Sequence, residues 1–322
     1  MTQFDNLFVR FLGILLVTNS HLDHLYPIRQ LGTGGSLGNS LFFMISGYGL
    51  ALSYLSKPLP FFNWYWRRIT RIYPSFIFIF GIFGIWFGGF WRTWKWDDYI
   101  IALLWPVNYT WFISALMVFY IIFFIIMKFN RSNFYIFSIL ILFIPYLFFY
   151  LWHMDLSKYT IEGGSYFKWI FYFQVMLLGG FLANHSNTLK SGKVFHLILL
   201  CLFLFLYFSF GFLITYGAFT KYQMLIHLLT FPIIYLVLIL GRSPFMIRNI
   251  MESKVPFFII SIVSSVTLEI YLLQGVVYTN SFVNSLFFPA NIIVFWVFLI
   301  VLSKIFAEVS GLGRRVLLRE NK

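Results

Sequence analysis

The sequence predicts an all-α fold: a polytopic membrane helical bundle of about ten transmembrane helices, with both termini in the cytoplasm. Three observations support this prediction. Of the 322 residues, 61% are hydrophobic and only 10% are charged, whereas a soluble domain has about 25% charged residues. Long apolar segments recur along the chain, and the basic residues are unevenly distributed between them. We expect residues 1–322 to form a single integral-membrane domain.

The apolar segments set the number of predicted spans. A transmembrane helix needs about 20 predominantly apolar residues. The segments that meet this requirement are 7–26, 37–55, 72–90, 109–128, 134–152, 167–183, 194–216, 222–240, 258–279 and 288–306.

The basic residues predict the orientation. The N-terminus, the even-numbered loops and the C-terminal tail contain 17 of the 23 Lys and Arg residues, and the odd-numbered loops contain the other six. The positive-inside rule therefore places both termini in the cytoplasm. The formal net charge of +13 then reflects topology, so we expect membrane lipids as partners and no nucleic acid. We expect a multi-pass protein of the cell (plasma or inner) membrane.

The first predicted span carries two ionisable side chains, Arg10 and His21. Eleven residues correspond to three helical turns plus about 20°, so both would lie on one helix face, about 16 Å apart along the axis. Ionisable groups inside a membrane are costly and mark functional sites. The alternative is an Arg that extends to the interface and a His that bonds a neighbouring helix.

The ninth predicted span contains a carboxylate, Glu269, at a depth of roughly 16 Å from its inner end. His21 would lie roughly 21 Å deep in its own helix, so a contact between the two is possible. Tyr271 and Gln274 would lie further toward the outer side.

A basic segment precedes the third predicted span. Arg67, Arg68 and Arg71 come just before Tyr73, and Arg68 and Arg71 share a helix face. Guanidinium groups suit phosphate binding. The alternative is a positive-inside anchor or a patch for lipid headgroups.

Aromatic residues are concentrated before and within the fourth span. Trp111 is one of five tryptophans between positions 91 and 111. Together with Tyr271, they predict a surface on which a sugar stacks, with Asp97 and Asp98 bonding its hydroxyls. The alternative is an interfacial aromatic belt.

Three other patterns carry less information. The glycine-rich segment 27–38 lacks the Lys-Ser/Thr ending of a P-loop and favours a flexible re-entry turn. His21 and His24 form H-x-x-H without an evident third ligand, so no metal is predicted. The single cysteine, Cys201, excludes an intrachain disulfide and a cysteine-based metal site.

Five motifs together resemble the membrane-bound acyltransferase family 3, in its stand-alone form. Arg10 and His21 match its R-x10-H arrangement. The other four follow in the family order over essentially the whole chain: SLFFMISGYGLALSY (40–54), RRITRIYP (67–74), NYTWFISALMVFY (108–120) and TLEIYLLQ (267–274). The chain departs from the family at Gln274, where many members have His, and 111–120 lacks an acidic residue found in some branches.

The resemblance implies transfer of an acyl group, usually acetyl, from acyl-CoA to a hydroxyl of a cell-envelope glycan or a lipid-linked saccharide. Arg10 and the basic segment would hold the cytoplasmic donor. His21 would act as general base, because imidazole titrates near neutral pH. Glu269 would orient His21 or stabilise its protonated form.

Two other classes of protein remain open. One is a transporter or flippase for a lipid-linked glycan, with Arg10, His21 and Glu269 as a proton relay; we expect no broken helices, which argues weakly against it. The other is a non-enzymatic membrane subunit, whose polar residues only pack helices.

Overall fold

The computed structural model describes residues 3–87, 111–129, 132–163, 167–186, 189 and 191–319. Helix makes up 82% of the structure, and these residues contain no strand, so the all-α prediction is confirmed. The longer helices are α1 (Gln3–Asn19), α2 (Gly35–Ser56), α3 (Phe61–Phe87), α4 (Trp111–Lys128), α5 (Ser132–Trp152), α6 (Phe167–Asn184), α7 (Val194–Thr215), α8 (Met224–Gly241), α9 (Lys254–Ser265), α10 (Thr267–Tyr278) and α11 (Ala290–Arg319).

Several of these helices suit a membrane. Among the described residues, α4, α5, α7, α8 and the Ala290–Leu312 part of α11 are long and apolar enough to cross one. Helices α9 and α10 qualify only as a pair. The multi-pass architecture is thus supported with five or six spans. The total of ten spans and the cytoplasmic location of the termini stay predictions.

The first helix is shorter than predicted. It ends at Asn19 instead of residue 26, and the backbone N–H groups of His21 and Leu22 bond carbonyls three residues earlier, Thr18 at 3.0 Å and Asn19 at 3.1 Å. This tightening is common where a helix ends. His21 therefore lies in the turn after α1, and the same-face argument does not apply to it.

The ninth predicted span is broken, so the expectation of unbroken helices is wrong. Helices α9 and α10 meet at a bend of 78°, where Val266 has a non-helical backbone (φ −123°, ψ 27°). The Ser265 hydroxyl donates to the Ile262 carbonyl at 2.7 Å and accepts from the Lys304 ammonium at 2.8 Å. The break gives α10 its own N-terminus, with backbone N–H groups that need partners.

The chain divides into two compact units. The first comprises Met1–Gly13, Ser36–Pro58 and Ile122–Ser261, and the second comprises Ile14–Gly35, Leu59–Ile121 and Ile262–Lys322. Both are assembled from separate parts of the chain. That the two units together form one integral-membrane domain stays a prediction.

In the first unit, α2 and α6 approach closely through glycines. A Cβ on Gly47 would overlap the Met176 carbonyl oxygen, and a Cβ on Gly179 would overlap the Met44 carbonyl oxygen. Small residues let helix backbones come together in this way. Gly47 and Gly179 therefore allow the close contact between α2 and α6.

In the second unit, α3, α10 and α11 pack on one another. Phe78 of α3 contacts Phe306 of α11, with ring centroids 5.3 Å apart. Ser75, Glu269 and Ser310 bring polar groups from each helix into this buried region. This three-helix group supports the candidate site.

Candidate active site

His21 lies in the turn that follows α1 and is exposed. Its ring stacks on that of Tyr278, the last residue of α10, with centroids 6.1 Å apart and planes 14° apart. The next histidine, His24, binds the same residue, because its Nε2 lies 3.3 Å from the Tyr278 carbonyl oxygen. The end of α10 therefore fixes the imidazole of His21 while leaving it accessible to a substrate.

The side chain of Asn19 fastens the glycine-rich loop to the same turn. Its Nδ2 donates to the carbonyls of Leu31 at 2.7 Å and Thr33 at 3.0 Å. Its Oδ1 accepts from the Tyr26 hydroxyl at 2.6 Å. Asn19 thus attaches the segment that the sequence predicts to be a flexible re-entry turn to the turn that carries His21.

The glycines of this loop allow it to lie against the turn. Gly34 has φ +100°, which favours glycine. At Gly32, an added Cβ would lie 2.6 Å from the Cα of Asp23, and at Gly35 it would overlap the Ser20 hydroxyl. The glycines serve close packing against the residues that flank His21.

The surroundings of His21 favour its neutral form. Partial burial lowers the pKa of the imidazole below its usual 6.5, and the negative charge of Asp23 opposes this by raising it. Burial disfavours the charged imidazolium. A neutral imidazole at pH 7 is the form that accepts a proton. Because α1 ends at Asn19, Asp23 is not held on the far side of a continuing helix.

Glu269 occupies the first turn of α10 and is 7% exposed. Its Oε1 accepts a hydrogen bond of 2.6 Å from the Ser75 hydroxyl of α3. The Ser75 oxygen lies 3.0 Å from the hydroxyl oxygen of Ser310 on α11. The carboxylate thus joins three helices, and its position suits the positive end of α10.

Glu269 lies in the first turn of α10, whereas His21 contacts the last residue of that helix, Tyr278. Nine residues separate Glu269 from Tyr278, which corresponds to opposite helix faces and about 13.5 Å along the axis. Within the described contacts, His21 and Glu269 share no hydrogen bond or ion pair. Their direct pairing stays a prediction, and the link that the structure provides runs through α10.

The four predicted donor-binding residues all lie on α3. The Arg68 guanidinium lies over the Trp64 ring, 4.3 Å from its centroid, and donates to the Trp64 carbonyl at 2.8 Å. Arg67 and Arg71 are exposed, and Tyr73 is half-buried. Their role in binding a donor stays a prediction.

Arg71 lies close in sequence to the partner of Glu269. It precedes Ser75 by one helical turn, and the Ser75 hydroxyl donates to the Glu269 carboxylate. The sequence treated the basic segment and the buried acid as separate features. The structure places them at one junction of α3 and α10.

Two predicted acceptor-binding residues, Trp111 and Tyr271, are linked through one ring. The Phe112 centroid lies 6.2 Å from that of Trp111 and 5.5 Å from that of Tyr271. The other two, Asp97 and Asp98, fall outside the described residues. The other four tryptophans of the predicted surface also lie outside the described residues, so the surface stays a prediction.

Arg10 and Gln274 complete the sequence-based candidates. Arg10 lies half-buried on the part of α1 that belongs to the first unit. Gln274 is 6% exposed on α10, and its Oε1 is buried without a hydrogen-bond partner among the described residues. The structure does not test a role for either residue.

The first unit contains a polar cluster that the sequence did not reveal. His227 of α8 is 1% exposed, and its Nδ1 lies 3.0 Å from the Tyr146 hydroxyl of α5, so it forms a bond between two helices. Its Nε2 lies 3.5 Å from the Glu162 carboxylate. Burial acts to raise the pKa of Glu162, but the facing imidazole together with Ser36 and Lys168 outweighs burial, and the pKa is lowered.

Asn19 and Tyr278 were also missed. Neither residue type signals a positioning role by itself, since Asn is common at helix ends and Tyr at membrane interfaces. The one available signal was the proximity of Asn19 to His21 in the sequence.

Comparison with known protein families gives a match over most of the chain. A family model for an acyltransferase domain matches residues 7–307. No curated protein and no solved structure matches the chain.

Proposed function

Because the chain belongs to acyltransferase family 3, we propose that it transfers an acyl group, acetyl in the simplest case, from acyl-CoA to a hydroxyl. The proposed acceptor is a cell-envelope glycan or its lipid-linked precursor, and the proposed location is the cell membrane. The observation that carries the proposal is the exposed His21, which stacks on Tyr278 and has a lowered pKa.

In this mechanism, His21 acts as the general base. Its neutral imidazole accepts the proton of the acceptor hydroxyl while the oxygen attacks the thioester carbonyl carbon. The carbon–sulfur bond breaks, and the CoA thiolate takes the proton from the imidazolium. A positioned base typically contributes about 10²–10⁴-fold to such a step.

The basic segment of α3 supports the donor site. CoA carries phosphates, and charge-assisted hydrogen bonds from guanidinium groups suit them. Arg67 and Arg71 are exposed and available for this contact. Arg10 is the further donor-binding candidate that the family resemblance implies. No metal enters the proposed mechanism.

Glu269 has a positioning role in the proposal. It fastens the start of α10 to Ser75, while the end of α10 stacks on His21 through Tyr278. It therefore orients the base through the helix. Trp111 and Tyr271 are the aromatic residues proposed to contact the acceptor.

The test is acyl transfer by the purified full chain in lipid nanodiscs, with radiolabelled acetyl-CoA and a membrane extract containing lipid-linked saccharides. We expect His21→Ala to lose at least 100-fold in rate while CoA binding is retained. His153→Ala, a change at an exposed histidine of the first unit, is the matched control. Full activity of His21→Ala would refute the base assignment.

One observation favours a second candidate, a transporter or flippase of a lipid-linked glycan. Broken membrane helices with free N-termini form the binding sites of many transporters, and α9 and α10 form such a break. Flipping of a fluorescent lipid-linked saccharide without acyl-CoA would support this function. Acyl transfer without flipping would exclude it.

A further inference from the structure

The first unit contains a cavity of about 440 Å³ beside the end of α6 and the start of α7. Small-molecule sites usually have volumes of about 300–1,000 Å³. One part of the wall is apolar and includes Phe181, Leu182 and Ile239, and another is polar. The positive-inside distribution assigns this loop to the cytoplasmic side.

The polar wall is basic. It includes His185, Lys193 and His196, and no Asp or Glu is found among the described residues that line the cavity. The cavity also borders the N-terminus of α7, a 22-residue helix, whose positive end attracts anions. These features favour an anionic ligand over a cation.

Hydrogen bonds to the backbone determine the roles of the two imidazoles. His196 Nδ1 accepts from the Lys193 backbone N–H at 3.0 Å, so a neutral His196 carries its proton on Nε2 and can donate from there. His185 Nδ1 lies 3.0 Å from the Phe181 carbonyl oxygen and is therefore the donor in that bond. The Nδ1 of His196 is thus engaged with the backbone, which leaves Nε2 as its atom for recognition.

The loop that forms this wall is held against α8. The Gly192 N–H donates to the Ile239 carbonyl at 2.8 Å, and the Leu189 N–H donates to the His185 carbonyl at 3.2 Å. A Cβ on Gly192 would lie 2.8 Å from the Leu240 Cα, so only glycine allows this approach. The backbone next to the basic wall is therefore held in place by a hydrogen bond and close packing against α8.

We propose that this cavity binds a phosphate ester attached to an apolar or aromatic body, with Lys193 and His196 contacting the phosphate. The proposal does not depend on the function proposed for His21. Basic pockets between membrane helices on the cytoplasmic side suit anionic lipid headgroups, and a nucleotide phosphate offers the same chemistry in soluble form. With a lipid, the acyl chains would contact the apolar wall, and with a nucleotide, the nucleobase would contact it.

The test uses the full chain in nanodiscs of phosphatidylcholine. One arm titrates adenosine 3′,5′-bisphosphate in an Arg67→Ala/Arg71→Ala background, which removes the exposed arginines of the proposed donor site, and the other adds phosphatidylglycerol, with binding followed by native mass spectrometry and thermal unfolding. We expect one of these probes to bind, and Lys193→Gln/His196→Gln to weaken its affinity at least tenfold, as lost charge-assisted bonds do. Binding of the lipid alone or of the nucleotide alone identifies the source.

Two further variants sharpen the test. Lys221→Gln changes an exposed lysine of the same unit outside the cavity and should bind as the parent does. Ser191→Asp places a negative charge at an exposed position of the lining and should abolish binding without unfolding the chain. Binding of neither probe, undiminished binding by the double variant, or equal loss in Lys221→Gln would overturn the proposal.

Discussion

Replacing Asn19 by Asp tests whether the glycine-rich loop positions the candidate base. The change keeps the shape of the side chain and the Oδ1 that accepts from Tyr26, but it removes both donors, to Leu31 and Thr33. It also directs a negative charge at two carbonyl oxygens. The loop therefore loses its attachment to the turn that carries His21.

The expected magnitude follows from the two lost bonds. A hydrogen bond contributes about 0.5–1.5 kcal/mol net. Both bonds are accessible to solvent, so we expect a loss near the lower half of the range, about 1–2 kcal/mol in total. This corresponds to roughly a 5- to 30-fold increase in opening of the loop.

Hydrogen exchange by mass spectrometry measures this opening directly. Amides of residues 29–35 should exchange faster by that factor in Asn19→Asp, and the acyl transfer rate should fall while CoA affinity is retained. Asn249→Asp removes one side-chain bond to a carbonyl, that of Phe245 at 2.8 Å, in the other unit and serves as the control. Unchanged exchange at residues 29–35 would refute the reasoning.

Two further predictions concern pH and the donor. Because the base works in its neutral form and its pKa lies below 6.5, the rate should rise with pH through a value below 6.5 and level off near neutrality. Asp23 raises that pKa, so Asp23→Asn should move the acidic limb of the pH–rate profile to lower pH; a profile unmoved by this change would remove Asp23 as the partner of His21. If Glu269 also pairs directly with His21, Glu269→Gln should shift the limb in the same direction, whereas a role through α10 should lower the rate without a shift. For the donor, Arg68→Ala/Arg71→Ala should weaken CoA binding by about 1.5–3 kcal/mol, measured by titration calorimetry, and an unchanged affinity would exclude Arg68 and Arg71 as phosphate ligands.

The general architecture was predictable because it follows from composition. A chain with 61% hydrophobic residues must bury its backbone polar groups in helices if it lies in a membrane. The packing role of Gly47 could also be inferred from the sequence, because small residues in an apolar helix indicate that another helix approaches closely there. Such features depend on local sequence.

The site geometry was less predictable because its bonds join distant positions. Ser75 and Glu269 are 194 residues apart, and many hydroxyls along the chain were equally plausible partners. The end of α1 was missed for a related reason: residues 20–26 contain apolar Leu and Tyr that fit a continuing helix, while the Asn19 side chain bonds a loop 12 to 14 residues later.

Helix α10 is bonded at one end to α3, through Glu269 and Ser75, one helical turn beyond Arg71, and contacts His21 at the other, through Tyr278. If binding at one end of α10 changes the equilibrium at the other end, thermodynamic linkage requires an equal effect in the opposite direction. If an occupied donor site alters the proton affinity of the imidazole, then protonation of the imidazole must alter donor affinity by the same factor. A measurement of CoA affinity against pH, made without any acceptor, would therefore report the state of the base.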